Sequence, residues 1–94
     1  MLKKSDVRNA IEAKTTHKAR STKHTNYTIF LDERRVIPLV TVPHGRNELT
    51  PKTQASIQKQ LKLGRQQFQR FVDCSLTQHD YEAILRQKIK DGLL

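Results

Sequence analysis

Two hydrophobic periods organise the chain. Val7, Ala10, Ile11 and Lys14 recur at three-and-four spacing and form one stripe, and Ser5 stands where an N-cap hydroxyl belongs. A first helix is therefore expected from Ser5 to about Lys14. Thr15 to Asn26 is polar and cationic with no helical period, which reads as a loop and a short edge strand. From Asn26 to Leu31 the period becomes two: Tyr27, Ile29 and Leu31 face one way, Thr28 and Phe30 the other. Asp32-Glu33 then supplies a polar turn before a second strand over residues 35–42, giving a β-hairpin. Pro38 lacks a ladder donor and belongs at an edge position or a bulge.

The helical period returns after the turn residues Pro43-His44-Gly45-Arg46. Thr50-Pro51 is a cap hydroxyl followed by proline at the first helical position. The helix it opens is expected to reach about Lys62, with Ala55, Ile57 and Leu61 inward, Lys52, Lys59 and Lys62 outward, and Gly64 ending it. Phe68, Phe71 and Val72 mark a short helix over 65–72. Thr77 with Asp80 three residues on is an acidic capping box opening a last helix from Gln78 to Lys90, with Tyr81, Ile84, Leu85 and Ile89 on its buried side. No repeat or low-complexity tract interrupts this order. The fold class expected is α+β: a helix, a two- or three-stranded antiparallel sheet, then helices, all packed on one sheet face. The other face, or the rim near residues 18–24 and 44–46, is left open to a ligand.

Ninety-four residues sustain one core, so one domain is expected. Apolar residues make up 35% of the chain and never run to membrane-spanning length, and no secretory signal is present, so a soluble, cytoplasmic protein is expected. The single cysteine, Cys74, has no disulfide partner and no ligand at metal spacing, and reads as filler in a helical core.

Charge adds the first functional constraint. Eighteen Lys and Arg against nine Asp and Glu leave a formal charge of +9, a field suited to a polyanion. It is unevenly placed: residues 1–62 hold 13 basic and 5 acidic side chains, a net +8, and residues 63–94 hold 5 and 4, a net +1. A nucleic acid, RNA before DNA, is the ligand this layout favours; an acidic protein surface is the alternative.

The segments Thr22-Lys23-His24-Thr25-Asn26-Tyr27, Asp32, Val42-Pro43-His44-Gly45, Glu48-Leu49 and residues 53–63 together resemble the HicA family of toxin ribonucleases, over roughly residues 5–70. Thr22-Lys23 stands where that family has Gly-Ser, and the tail from Phe71 exceeds the family core. The resemblance implies a fold like a double-stranded RNA-binding domain, cleavage of messenger RNA, and inhibition by a HicB antitoxin. It divides the chain into a HicA-like unit over residues 1–70 and a helical extension over 71–94 packed on the same domain. It also places His24 at the family's histidine, Tyr27 at its aromatic and Pro43-His44 at the strand exit.

An imidazole titrating near neutrality transfers a proton as a ribose 2′-hydroxyl attacks the adjacent phosphate, with no metal or cofactor. His24 is the candidate for that role, and Lys18, Arg20 and Lys23 are positioned in sequence to hold the phosphate. The plainer reading of His24 is a phosphate hydrogen bond alone. His44 and His17 are the choices for a second titrating group, and His79 reads as structural. No Asp-Glu pair is spaced for metal binding within the basic region. Tyr27 either stacks on a base or is core with its hydroxyl at the surface, and His44, Arg46, Lys52 and Lys59 complete the set of RNA contacts expected. The apolar residues of the nearly neutral tail either extend the core or present a surface to an antitoxin or a second copy. Three functions follow from these readings: an endoribonuclease, a non-catalytic nucleic-acid module, and a protein adaptor.

Overall fold

A computed structural model describes residues 2–73 and 75–94; the reading of Cys74 lies outside them. The element order is α1 (Lys4–Lys14), β1 (Thr16–Ser21), β2 (His24–Leu31), β3 (Arg34–Pro43), α2 (Pro51–Gln60), α3 (Arg65–Val72) and α4 (Gln78–Lys90). The three strands form one antiparallel sheet in the order β1-β2-β3. The fold is α+β, and among the described residues no helix is long and apolar enough to cross a membrane.

The helix stripes predicted for α1 and α3 hold, and that of α4 holds at Tyr81 and Leu85. Val7, Ala10, Ile11 and Lys14 are buried on α1, and Phe68, Phe71 and Val72 on α3. They meet Tyr27, Ile29, Leu31, Ile37, Val40 and Val42 of the sheet in one continuous core, so every buried strand residue faces the helices. The tail belongs to this core. Leu76, Tyr81 and Leu85 are buried in it, the Tyr81 hydroxyl donates to the Leu61 carbonyl at 2.9 Å, and the Lys14 ammonium donates to the Phe71 carbonyl. Ile84 is half-buried, whereas Ile89, expected inside, is 43% exposed because α4 runs past the edge of the core at its last turn.

Local chemistry explains most boundaries and corrects several. Thr50 caps α2 by accepting the Thr53 N–H at 3.2 Å, with Pro51 next. Thr77 and Asp80 exchange reciprocal bonds of 3.1 Å at the start of α4. Ser5, expected to cap α1, lies inside it; the cap is Lys3, whose N–H donates to the Asp6 carboxylate at 3.3 Å. Ala55 is exposed, because α2 lies along the β3 margin and turns only Ile57 fully inward. Nor does Gly64 end α2. Lys62 takes the left-handed conformation, φ 62°, its N–H reaching Lys59 O at 3.1 Å and the Leu63 N–H reaching Gln58 O at 3.2 Å, a Schellman closure with Leu63 buried beneath it. Gly64 instead caps α3.

The cationic stretch after Thr15 is more ordered than its sequence indicates. Thr16 to Ser21 is a full edge strand and β2 begins at His24, two residues before the alternation becomes apolar. Both strands pair along their length, Thr16 with Phe30 through Ser21 with Thr25, so the ladder extends a strand that carries no hydrophobic period. Asp32 and Glu33 have φ of 51° and 68°, as a two-residue type I′ loop requires. The β2–β3 register shifts between Tyr27 and Phe30, opposite Pro38, which therefore occupies both a bulge and an edge strand.

Candidate nucleic-acid interface

The face of the sheet away from the helices carries Thr16, Lys18 and Arg20 from β1 and His24, Asn26, Thr28 and Phe30 from β2, since direct cross-strand partners share a face. Thr41 and Pro43 of β3 continue it beside Asn26 and His24. The strands contain Lys18, Arg20, Arg34 and Arg35 and not one Asp or Glu. An anion approaching this face meets no carboxylate on the strands themselves.

His24 opens β2 at one corner of the sheet, exposed, opposite Pro43. Its imidazole has no hydrogen-bond partner among the described residues, leaving both ring nitrogens available. Three segments converge there. The Thr22 N–H donates to the His24 carbonyl at 2.9 Å, closing the β1–β2 hairpin around exposed Lys23. His44, just past the end of β3, places Nε2 3.0 Å from the Thr22 carbonyl and 3.4 Å from the Ser21 hydroxyl. Arg20 stands one row along the sheet, beside Asn26.

The loop bearing His44 and Arg46 is held from below. Arg8 of α1 donates through Nη1 to the Pro43 carbonyl and through Nη2 to the Gly45 carbonyl, each at 2.7 Å. Gly45 has φ 108°, a backbone conformation that side chains with a Cβ rarely adopt, so the turn calls for glycine. The Lys4 N–H donates to Asn47 O at 3.0 Å and the Leu49 N–H to Leu2 O at 2.9 Å, tying the rest of the loop to the N-terminal segment. Sequence reading missed Arg8, because its partners lie 35 and 37 residues away.

The predicted contact residues are only partly gathered. Arg20, Lys23, His24 and His44 share the corner, exposed Arg46 lies two residues beyond His44 in the same loop, and Lys52 joins from α2, lining a shallow groove with Thr41, Pro43, Thr53, Ser56 and Gln60. Lys18 is two rows from His24 along the sheet, its ammonium 5.6 Å from the Phe30 ring centroid. Lys59 is exposed seven residues beyond Lys52, about 10 Å further along α2.

Two assignments are corrected, the base-stacking role of Tyr27 and the pairing of His17 with His24, while the reading of Tyr27 as a core residue holds. Tyr27 is fully buried, with its hydroxyl donating to Glu12 at 2.8 Å, so its ring is closed to a base; burial, then the Glu12 contact, holds the phenol well above its ordinary pKa. His17 is no partner for His24. It pairs with Ile29 on the helix side of the sheet, its Nδ1 3.0 Å from the Thr15 carbonyl and its ring edge-on to Tyr27 at 5.5 Å. Phe30 and Arg35, which no motif marked, lie on the open face.

Among the described residues, no three His, Cys, Asp or Glu side chains converge as a metal site. Comparisons of the chain with protein-family models, with curated proteins and with solved structures find no match.

Proposed function

We propose that this chain is a HicA-like endoribonuclease of a toxin–antitoxin pair, built on a frame like a double-stranded RNA-binding domain and cutting messenger RNA in the cytoplasm without a metal. The observation that carries the proposal is the unpartnered His24 imidazole on a cationic sheet whose strands lack carboxylates. The order α1-β1-β2-β3-α2 supports it, as does the gathering of the His24 and Pro43-His44 segments, 20 residues apart in sequence, at one corner.

In this reading His24 takes the proton of a ribose 2′-hydroxyl as that oxygen attacks the adjacent phosphorus; the bond from phosphorus to the 5′-oxygen breaks, leaving a 2′,3′-cyclic phosphate on one fragment and, on the other, a 5′-hydroxyl whose proton comes from water. Arg20 and Lys23 hold the phosphate and offset the negative charge that builds on it. A substrate without the 2′-hydroxyl lacks the nucleophile, which makes RNA the substrate and DNA at most a ligand. A small acidic HicB-like protein is the inhibitor whose charge complements this face.

Labelled RNA incubated with the protein in EDTA tests the proposal. Cleavage that disappears in a folded His24→Ala variant is the expected result; an equally active variant removes His24 from the mechanism. One observation favours a second reading, a non-catalytic RNA-binding module: the His44 ring is engaged with the hairpin backbone and His17 faces the helices, so no second free imidazole stands beside His24. Binding without cleavage in the same assay selects the module.

A further inference from the structure

We propose that Phe30 is a stacking platform for one base of single-stranded RNA, fixing the strand's register on the sheet relative to His24. The chain has five Phe and Tyr residues, and Tyr27, Phe68, Phe71 and Tyr81 are buried in the core. Phe30 alone stands outside that cluster, half-buried on the opposite face of the sheet. Its cross-strand neighbours there are small or cationic: Thr16 on β1 and Arg35 on β3 are its direct partners, and Lys18 reaches its ring. Of the two carboxylates in the β2–β3 turn, Asp32 is bound to Arg86 of α4 at 2.9 Å and Glu33 is exposed at the tip.

An aromatic ring bracketed by cations on a carboxylate-free sheet matches what a single strand offers, since each nucleotide pairs a π-face with a phosphate. The charge of the strands commits the face to a polyanion, and the accessible ring commits it to unpaired bases, which a duplex keeps stacked inside. Lys18 then serves twice. In the free protein it sits over the ring, a weak contact at an exposed site, and on binding its flexible stem can carry the ammonium to a phosphate while a base takes its place. Six residues of extended strand separate Phe30 from His24, about 20 Å, so the stacked base lies several nucleotides from the phosphate at the corner. Stacking tolerates any base, so this site sets position along the strand and not identity.

The inference rests on the RNA-binding reading above, and its test separates the two. The chain contains no tryptophan, so Phe30→Trp introduces a single indole at the platform. The probe is a short 2′-O-methyl oligoribonucleotide of mixed sequence, whose blocked hydroxyl allows binding without cleavage. Indole fluorescence should be quenched as it binds, with affinity near the parent's. Phe30→Leu should bind roughly tenfold or more weakly, the loss of one stacked base, with the salt dependence unchanged because no phosphate contact is removed.

Unquenched indole fluorescence at saturating probe overturns the platform even where the leucine variant folds poorly. So does a folded Phe30→Leu variant with parental affinity, while parental cleavage of ordinary RNA leaves the proposed function standing. A parent that neither binds nor cleaves RNA overturns both. A dimer that dissociates on Phe30→Leu substitution, with RNA affinity unchanged, assigns the face to a second copy and also overturns the platform.

Discussion

The His44 ring bridges the end of β3 to the β1–β2 hairpin, with Nε2 3.0 Å from the carbonyl oxygen of Thr22. A carbonyl only accepts, so Nε2 carries the proton in this contact and Nδ1 is the nitrogen left free. His44 thereby positions the hairpin that presents Lys23 and His24. Its role is geometric first, whereas His24 meets solvent with both nitrogens unused.

These two histidines should separate on mutation. His24→Ala should lower RNA cleavage by roughly a hundredfold or more, the scale of a lost general acid or base, with no change in melting temperature. His44→Asn keeps a side-chain donor and should retain more activity than His44→Ala, which frees the hairpin tip. Equal losses from both His44 variants would show that the ring itself is needed.

Salt titration of RNA binding reads the cationic corner directly. Each of Arg20→Gln and Lys23→Gln should weaken binding and reduce the slope of log affinity against log salt by about 0.7, one released counterion on a single strand. Lys90→Gln, on the last turn of α4, should leave both unchanged. An equal effect from Lys90 would mean that net charge, and not this face, draws the ligand.

The Tyr27 hydroxyl joins β2 to α1 through Glu12, a bond to a carboxylate worth about 1.5–3 kcal/mol. Tyr27→Phe should lower stability to unfolding by that order. Burial raises the pKa of this phenol and of Tyr81 above the unfolded value. Above pH 10 the unfolded chain loses phenolic protons that the native chain keeps, so their contribution is complete below pH 10 and fades as pH rises past it. Denaturant melts should show this alkaline loss, reduced in Tyr27→Phe and Tyr81→Phe.

Lys62 holds a left-handed backbone, φ 62°, at the end of α2. Glycine adopts it without Cβ strain, so Lys62→Gly should raise stability by up to about 1 kcal/mol, read as a higher urea midpoint. A lower midpoint would show that the lysine stem contributes more than the strain costs.

What the sequence alone determined is what short-range chemistry controls. Thr50-Pro51, the Thr77–Asp80 box and the stripe of Val7, Ala10 and Ile11 were legible because their bonds and spacings close within a turn or two of one helix. The candidate His24 was legible as chemistry, not as geometry. Only the tertiary structure decided that the edge strand expected within residues 15–26 fills Thr16–Ser21, since the extent of a polar edge strand is set by its ladder to β2 and not by its own period. It also decided that His17 joins the helices and Arg35 the open face, whereas the separation of Tyr27 from Phe30 was already written in the alternation of β2. Arg8, from the first helix, fastens a loop some 35 residues on. Such choices depend on pairing register and on which sheet face the helices cover, and both are settled by the whole chain collapsing on one core.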